Sequence, residues 1–176
     1  MVLVFTGDGK GKTTAALGQA ARAVGRGKNV LMVQFIKGPW KAGEDAVEMR
    51  RKGDGGGKFE LRKMGLGFVG ILGDTLPREE HKKAAEEALL FAEQEIKKGE
   101  WDVVILDEVN VAVSLGLISS GEVLRVLKYL PEERLVLLTG RGAPKEFIDR
   151  ADLVTEMKEI KHPFQEGNMG KPMVEF

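Results

Sequence analysis

The chain has 176 residues, of which 43% are hydrophobic and 31% are charged, so it is neither disordered nor membrane-like and we expect one globular domain over residues 1–176. Its 27 basic and 27 acidic residues cancel to a formal net charge of zero, which argues against nucleic acid as a partner. The absence of cysteine excludes disulfides and thiol nucleophiles, and no apolar run approaches the roughly 18 residues of a membrane span, so we expect a cytoplasmic protein that is neither exported nor inserted.

The first strand, helix and second strand form a predicted βαβ unit. Residues 2–5 are an apolar run with two valines, which is typical of a buried parallel strand. Residues 13–24 are rich in alanine and favour a helix that ends near Gly25. Residues 30–36 have the pattern of a second buried strand, so the crossover should be right-handed and the sheet parallel here.

A glycine-rich stretch follows, and then strands and helices alternate again. We expect a loop-rich insertion around residues 38–77, with one strand at residues 58–64. The later predicted elements are a helix at 77–99, a strand at 102–106, a helix at 120–129, a strand at 135–138, a short helix at 144–150 and a strand at 153–156. This alternation predicts an α/β fold, doubly wound around a mainly parallel sheet in three layers.

A glycine-rich loop joins the first strand to the first helix. It consists of Gly7, Asp8, Gly9, Lys10, Gly11, Lys12 and Thr13. Backbone amides at a helix start attract anions, because they lack hydrogen-bond partners and lie at the positive end of the helix dipole. In such loops the lysine contacts phosphate oxygens and the threonine hydroxyl holds magnesium. The strict template G-x-x-x-x-G-K-[ST] requires glycine at position 6, where this chain has threonine, but the strand–loop–helix context predicts a P-loop site for ATP and magnesium.

An acidic pair ends the predicted strand at residues 102–106. Asp107 stands where P-loop proteins place a carboxylate that reaches magnesium directly or through water, and Glu108 follows it. A solvated acidic pair at a strand end is the other interpretation, and the glycine-rich loop makes it the weaker one. Asp107 and Glu108 therefore join Thr13 as candidate magnesium ligands.

Other residues with chemical potential carry weaker signals. Residues 65–70 satisfy G-x-G-x-x-G, but no good helix follows them, so they are not a dinucleotide-binding motif. His81 and His162 have no partner at metal-ligand spacing, and we interpret them as helix-surface or loop histidines. Trp40 and Trp101 are expected to be packing residues.

Binding motifs alone leave a kinase, an ATPase and a group transferase open, because all three bind phosphates in the same way. Residues 6–16 and 20–23 resemble the P-loop type of ATP:corrinoid adenosyltransferase, a family that also lacks the first template glycine. Further strings that match this family are residues 34–38, 106–108, 139–144, 151–157 and 161–164. The alternatives are a P-loop kinase or ATPase that releases ADP, and a non-catalytic ATP-sensing module in which ATP orders residues 53–57.

The resemblance implies a P-loop NTPase fold and attack by the reduced cobalt of a corrinoid on the 5′ carbon of ATP, with release of triphosphate. It implies that Lys10, Lys12 and Glu108 are catalytic, and that magnesium (or manganese) lies at Thr13 and Glu108, with Asp107 as the alternative ligand. Thr14 joins the loop in binding ATP, Arg22 is matched to the ribose, and Phe68 to the corrinoid. A homodimer and a flavoprotein or free flavin as reductant are also implied.

Two positions and the C-terminal tail depart from the family pattern. Position 8 is aspartate where the family commonly has asparagine, which places a carboxylate near the phosphates. Gly70 stands where the family has an aromatic partner for the residue at Phe68. The tail over residues 166–176 also differs and keeps only the final Glu175 and Phe176. Substrate range is therefore expected to differ from that of the family.

Overall fold

The computed structural model of this chain describes residues 1–38, 40–53, 55–71 and 73–162. Pro163, Phe164 and the divergent tail over residues 166–176, which entered the sequence comparison above, lie outside the described residues. No described helix combines the length and the apolar character that crossing a bilayer requires.

Strands and helices alternate along the described residues, as the sequence pattern predicts. The strands are β1 (Val2–Thr6), β2 (Val30–Gln34), β3 (Phe59–Lys63), β4 (Val103–Asp107), β5 (Leu135–Thr139) and β6 (Leu153–Glu156). The α-helices are α1 (Lys12–Gly25), α2 (Arg78–Lys98), α3 (Val109–Ser114), α4 (Ser120–Leu127) and α5 (Lys145–Arg150), and a 3₁₀ turn spans Gly43–Ala46.

The six strands form one sheet in the order β3-β2-β4-β5-β1-β6, and every strand pair is parallel. From β1 the chain moves through β2 to β3 at one edge of the sheet, and after β3 it reverses through β4 and β5 to β6 at the other edge. The connections run over both faces, so the doubly wound α/β prediction is confirmed. All carboxyl ends of the strands meet at one edge of the sheet. This edge carries the glycine-rich loop after β1 and the acidic pair at the end of β4.

Two apolar clusters cover the two faces of the sheet. Alternate residues of β4 show the division, because Val104 and Leu106 belong to one cluster while Val103 and Ile105 belong to the other. The first cluster receives the alanine-rich face of α2 and the ring of Phe147 from α5. The second cluster receives the buried alanines of α1. The β4 strand is therefore buried on both sides, which explains its continuous apolar sequence.

Several predicted boundaries shift by one or two residues, and two elements were missed. The second strand ends at Gln34, and the fourth begins at Val103 and includes Asp107 itself. Helix α3 was not predicted, because its 6 residues are too few to show helical periodicity. The Gly43–Ala46 turn was assigned to loop for the same reason. The predicted stop at Gly99 is confirmed, since it caps α2 with a φ of 77°.

Phe147 and Ile148 provide a matched test of the core beneath α5. Phe147 is fully buried, whereas Ile148 is 43% exposed. We expect Phe147→Ala to lower the free energy of unfolding by about 3–5 kcal/mol, because it leaves a cavity in a closed core. Ile148→Ala should cost less than about 1 kcal/mol. Urea denaturation of both variants measures the difference, and equal losses would contradict this packing.

Candidate nucleotide-binding site

The glycine-rich loop is shaped by the segment that follows β6. The amide of Gly9 donates to the carbonyl oxygen of Met157 at 2.7 Å, and the amide of Met157 donates to that of Thr6 at 2.8 Å. Gly7 has a φ of 92°, and a Cβ atom there would lie 2.4 Å from the Met157 carbonyl oxygen. The close approach of residue 157 therefore requires glycine at position 7, a constraint that the local sequence does not reveal.

The side chain of Lys12 lies within this loop. It is 7% exposed, and its Nζ donates to the carbonyl oxygens of Gly7 and Gly9, both at 2.7 Å. Burial lowers the pKa of Lys12, while attraction to Glu108 opposes this shift. A phosphate group would offer this ammonium an anionic partner in place of two neutral carbonyls.

The carboxylate of Asp107 is fully buried and connects four elements. It accepts hydrogen bonds from Thr13 Oγ1 at 2.9 Å, from Thr139 Oγ1 at 2.6 Å and from Gln34 Nε2 at 3.0 Å. These donors come from α1, β5 and β2, while Asp107 ends β4. Burial raises the pKa of Asp107, and the hydrogen bonds from Thr139 and Thr13 oppose that effect.

Glu108 has a backbone conformation that is unusual for a residue with a side chain. Its φ of 62° makes it the one non-glycine residue with positive φ among those described, and its amide donates to Thr139 Oγ1 at 2.9 Å. Such backbone strain is common at functional sites. Burial and the neighbouring Asp107 raise the pKa of Glu108 to about 7, while the charges of Lys12 and Lys37 oppose the shift.

The oxygen atoms around Thr13 have the chemistry that magnesium requires. Thr13 offers a hydroxyl and Glu108 a carboxylate at the cavity, with Asp107 directly behind Thr13. Among the described residues, no group of three or more His, Cys, Asp or Glu side chains could hold a metal by itself. The donor set therefore fits a magnesium ion that keeps waters and shares its remaining positions with phosphate oxygens.

These residues border a cavity of about 500 Å³ at the carboxyl edge of the sheet. The predicted site residues that line it are Asp8, Lys10, Gly11, Lys12, Thr13, Thr14 and Glu108. Arg22 is an exposed residue in the last turn of α1 and does not line the cavity. Phe68 also lies outside the lining, 43% exposed, with its ring centroid 5.5 Å from that of Trp40.

The cavity also has lining residues that are not among the predicted site residues. These are Leu17, Lys37, Glu44, Arg141 and Glu159, together with His162, which had been interpreted as a loop histidine. Lys37 and Arg141 occur in strings that carry the family resemblance, and each follows a parallel strand at its carboxyl end. Strand ends that are distant in sequence meet at this edge, which is the signal that could have identified both.

One histidine and the two tryptophans lie outside the cavity lining and differ in burial. The helix-surface interpretation of His81 is wrong, because His81 is 3% exposed and its Nε2 lies 3.0 Å from Asp74 Oδ2. Trp101 packs in the core as expected, and its Nε1 donates to Glu95 Oε2 at 2.7 Å. Trp40 is instead 56% exposed and packs on Phe68.

The chain is similar to known proteins over nearly its whole length. Residues 1–176 match the family described as ATP:corrinoid adenosyltransferase BtuR/CobO/CobP. The chain is 40% identical over 167 residues to corrinoid adenosyltransferases of Escherichia coli K12 and Salmonella typhimurium LT2, covering 95% of this chain and 81% of each relative. It is 38% identical over 176 residues to one of Pseudomonas aeruginosa, covering 100% of this chain and 83% of that protein.

Glu108 gives the site a testable pH dependence. Its pKa is about 7 in the folded chain and near the ordinary 4.5 when unfolded, so the folded state retains a proton that the unfolded state loses between these values. Ionised Glu108 therefore destabilises the ligand-free protein increasingly as the pH rises through this window, by up to about 3 kcal/mol. We expect Glu108→Gln to raise the free energy of unfolding at pH 8 and to change it little at pH 4.

Urea denaturation in metal-free buffer at both pH values measures this effect. Glu86→Gln removes the same charge from an exposed position on α2 and should change stability by less than about 0.5 kcal/mol at either pH. A Glu108→Gln effect that is the same at pH 4 and pH 8 would show that the Glu108 charge is not the cause.

Proposed function

The chain belongs to the ATP:corrinoid adenosyltransferase family, and from this premise we propose how its residues perform the transfer. The enzyme moves the 5′-deoxyadenosyl group of ATP to the reduced cobalt of a corrinoid, in adenosylcobalamin synthesis. Cobalt supplies the electron pair for the new cobalt–carbon bond, the C5′–O bond breaks, and its electron pair leaves with triphosphate. The protein therefore has to bind, orient and neutralise charge.

Four cationic side chains line one cavity, and they are the main support for this proposal. Lys10, Lys12, Lys37 and Arg141 all line the space beside the glycine-rich loop. A leaving triphosphate develops negative charge, and fixed cations in a partly buried site stabilise that charge more strongly than water does. We assign the main share of this stabilisation to Lys12 and Lys10.

The remaining loop residues serve the same polyphosphate. We propose that the amides from Gly7 to Thr14 donate to its oxygens, since they precede or begin α1 and lie at the positive end of its dipole. Gly9 already donates to Met157, so its contribution requires that hydrogen bond to be exchanged. Asp8 lines the same cavity, and its carboxylate would increase the dependence of ATP binding on a divalent cation.

We propose magnesium (or manganese) at Thr13 and Glu108. When bound, the ion neutralises charge on the phosphates. Asp107 is assigned a positioning role, because three protein hydrogen bonds occupy its buried carboxylate and one of them fixes Thr13. Glu108 lines the cavity and is the better candidate for direct contact with the ion.

The corrinoid is proposed to bind against Phe68. Phe68 and Trp40 form an exposed aromatic pair on loops after β3 and β2, beside the carboxyl edge of the sheet that holds the cavity. A flat macrocycle would bury both rings. Arg22 remains our proposed ribose contact, and it lies ten residues after Lys12, about 15 Å along α1.

The wider setting follows the family resemblance. We propose that residues 1–176 form a single nucleotide-binding domain with a loop-rich insertion around residues 38–77. The proposed assembly is a cytoplasmic homodimer, and a flavoprotein or free flavin is proposed to reduce the cobalt. These proposals add no residue to the site described above.

The products of the reaction test this function directly. With ATP, magnesium and a chemically reduced corrinoid, we expect triphosphate release together with the absorbance change of cobalt–carbon bond formation. Lys12→Ala should lower kcat/KM by at least about 100-fold, because it removes a buried charge from the leaving group. Lys83→Ala, an exposed lysine on α2, should leave kcat/KM unchanged within about twofold.

Other products would contradict the proposal. Release of ADP or orthophosphate would indicate a P-loop kinase or ATPase. Tight ATP binding without any effect of the corrinoid would indicate an ATP-sensing module.

A further inference from the structure

An ion pair lines the same cavity as the glycine-rich loop. Lys37 follows β2, and its Nζ donates to the carboxylate of Glu44, which belongs to the Gly43–Ala46 turn. Both side chains line the cavity, and they are 29% and 12% exposed. The pair is therefore partly buried and faces the space that we assign to the polyphosphate.

Glu44 is kept ionised by its neighbours. Burial alone would raise the pKa of Glu44, but the hydrogen bond with Lys37 and other hydrogen bonds outweigh burial and hold that pKa below its usual range. Glu44 also lies 3.5 Å from Gln34 Nε2, which donates to Asp107 at 3.0 Å. Lys37 and Glu44 are thus connected to the carboxylate that fixes Thr13.

The charge of Lys37 acts on Asp107 and Glu108, the carboxyl groups beside the glycine-rich loop. Burial raises the pKa of both Asp107 and Glu108, and the Lys37 ammonium opposes this shift, which means that its field reaches the proposed magnesium ligands. The carboxylate of Glu44 matches this charge. A polyphosphate carries several negative charges and would compete with a single carboxylate for the ammonium.

We propose that Lys37 is a further polyphosphate-binding residue and that Glu44 holds its ammonium until the polyphosphate replaces the carboxylate. This inference rests on the proposed binding of ATP in this cavity. It assigns to Glu44 a competing role, so the two partners of one ion pair should affect polyphosphate affinity in opposite directions.

Binding of inorganic triphosphate to the full chain in magnesium-containing buffer, measured by calorimetry, tests the exchange. Lys37→Met should weaken binding at least about tenfold, and Lys37→Arg should retain most of the affinity, because it keeps the charge. Glu44→Gln should strengthen binding about three- to tenfold. In the double variant, Glu44→Gln should have no effect, because its action passes through Lys37.

Asp45→Asn is the matched control for charge. Asp45 belongs to the same turn, but it pairs with Lys63 at 2.6 Å, and neither residue lines the cavity. Its neutralisation should change triphosphate affinity by less than about twofold. Comparable urea midpoints for all variants would show that the fold is retained.

Three results would overturn the inference. An equal gain from Glu44→Gln with and without Lys37 would mean that Glu44 acts by general repulsion. Unchanged binding in Lys37→Met, with loss in Lys12→Ala, would exclude Lys37 while leaving the proposed function intact. Failure of the unmodified protein to bind triphosphate at all would remove both proposals.

Discussion

The buried carboxylate of Asp107 is the constraint on which the geometry of the site depends. Its hydrogen bonds with Thr13, Thr139 and Gln34 join the start of α1 to the ends of three neighbouring strands. A buried charge is costly unless its oxygens are satisfied, so these donors are held in fixed positions. The position of α1, and with it the glycine-rich loop, is thereby coupled to the sheet edge.

The charges around the cavity balance one another. Lys12 contacts neutral carbonyls, Lys37 contacts Glu44, and burial together with the neighbouring carboxylate of Asp107 raises the pKa of Glu108 to about 7. A polyphosphate with a divalent cation would give Lys12, Lys37 and Glu108 stronger partners of opposite charge. Four basic and four acidic side chains line this cavity, so its formal charges cancel as those of the whole chain do.

The features of the fold that depend on neighbouring residues could be predicted from the sequence. Apolar runs, the capping Gly99 and the loop ending at Thr13 are set by neighbouring residues, so the strands, the doubly wound fold class and the position of the loop between β1 and α1 could be predicted. Lys37 and Glu44 meet the loop through the order of the strands, which no local pattern encodes. The closeness of Met157 to Gly7 and the burial of His81 beside Asp74 likewise arise from tertiary contacts.

We propose that the loop holds the polyphosphate as a leaving group and leaves the sugar carbon open to cobalt. A structure of the enzyme with a non-reactive ATP analogue and a corrinoid, determined together, measures this most directly. We expect the phosphates to lie against Lys12 and the loop amides, with C5′ directed at the metal. A complex in which the terminal phosphate faces the corrinoid, with C5′ turned away, would contradict the proposed orientation of ATP.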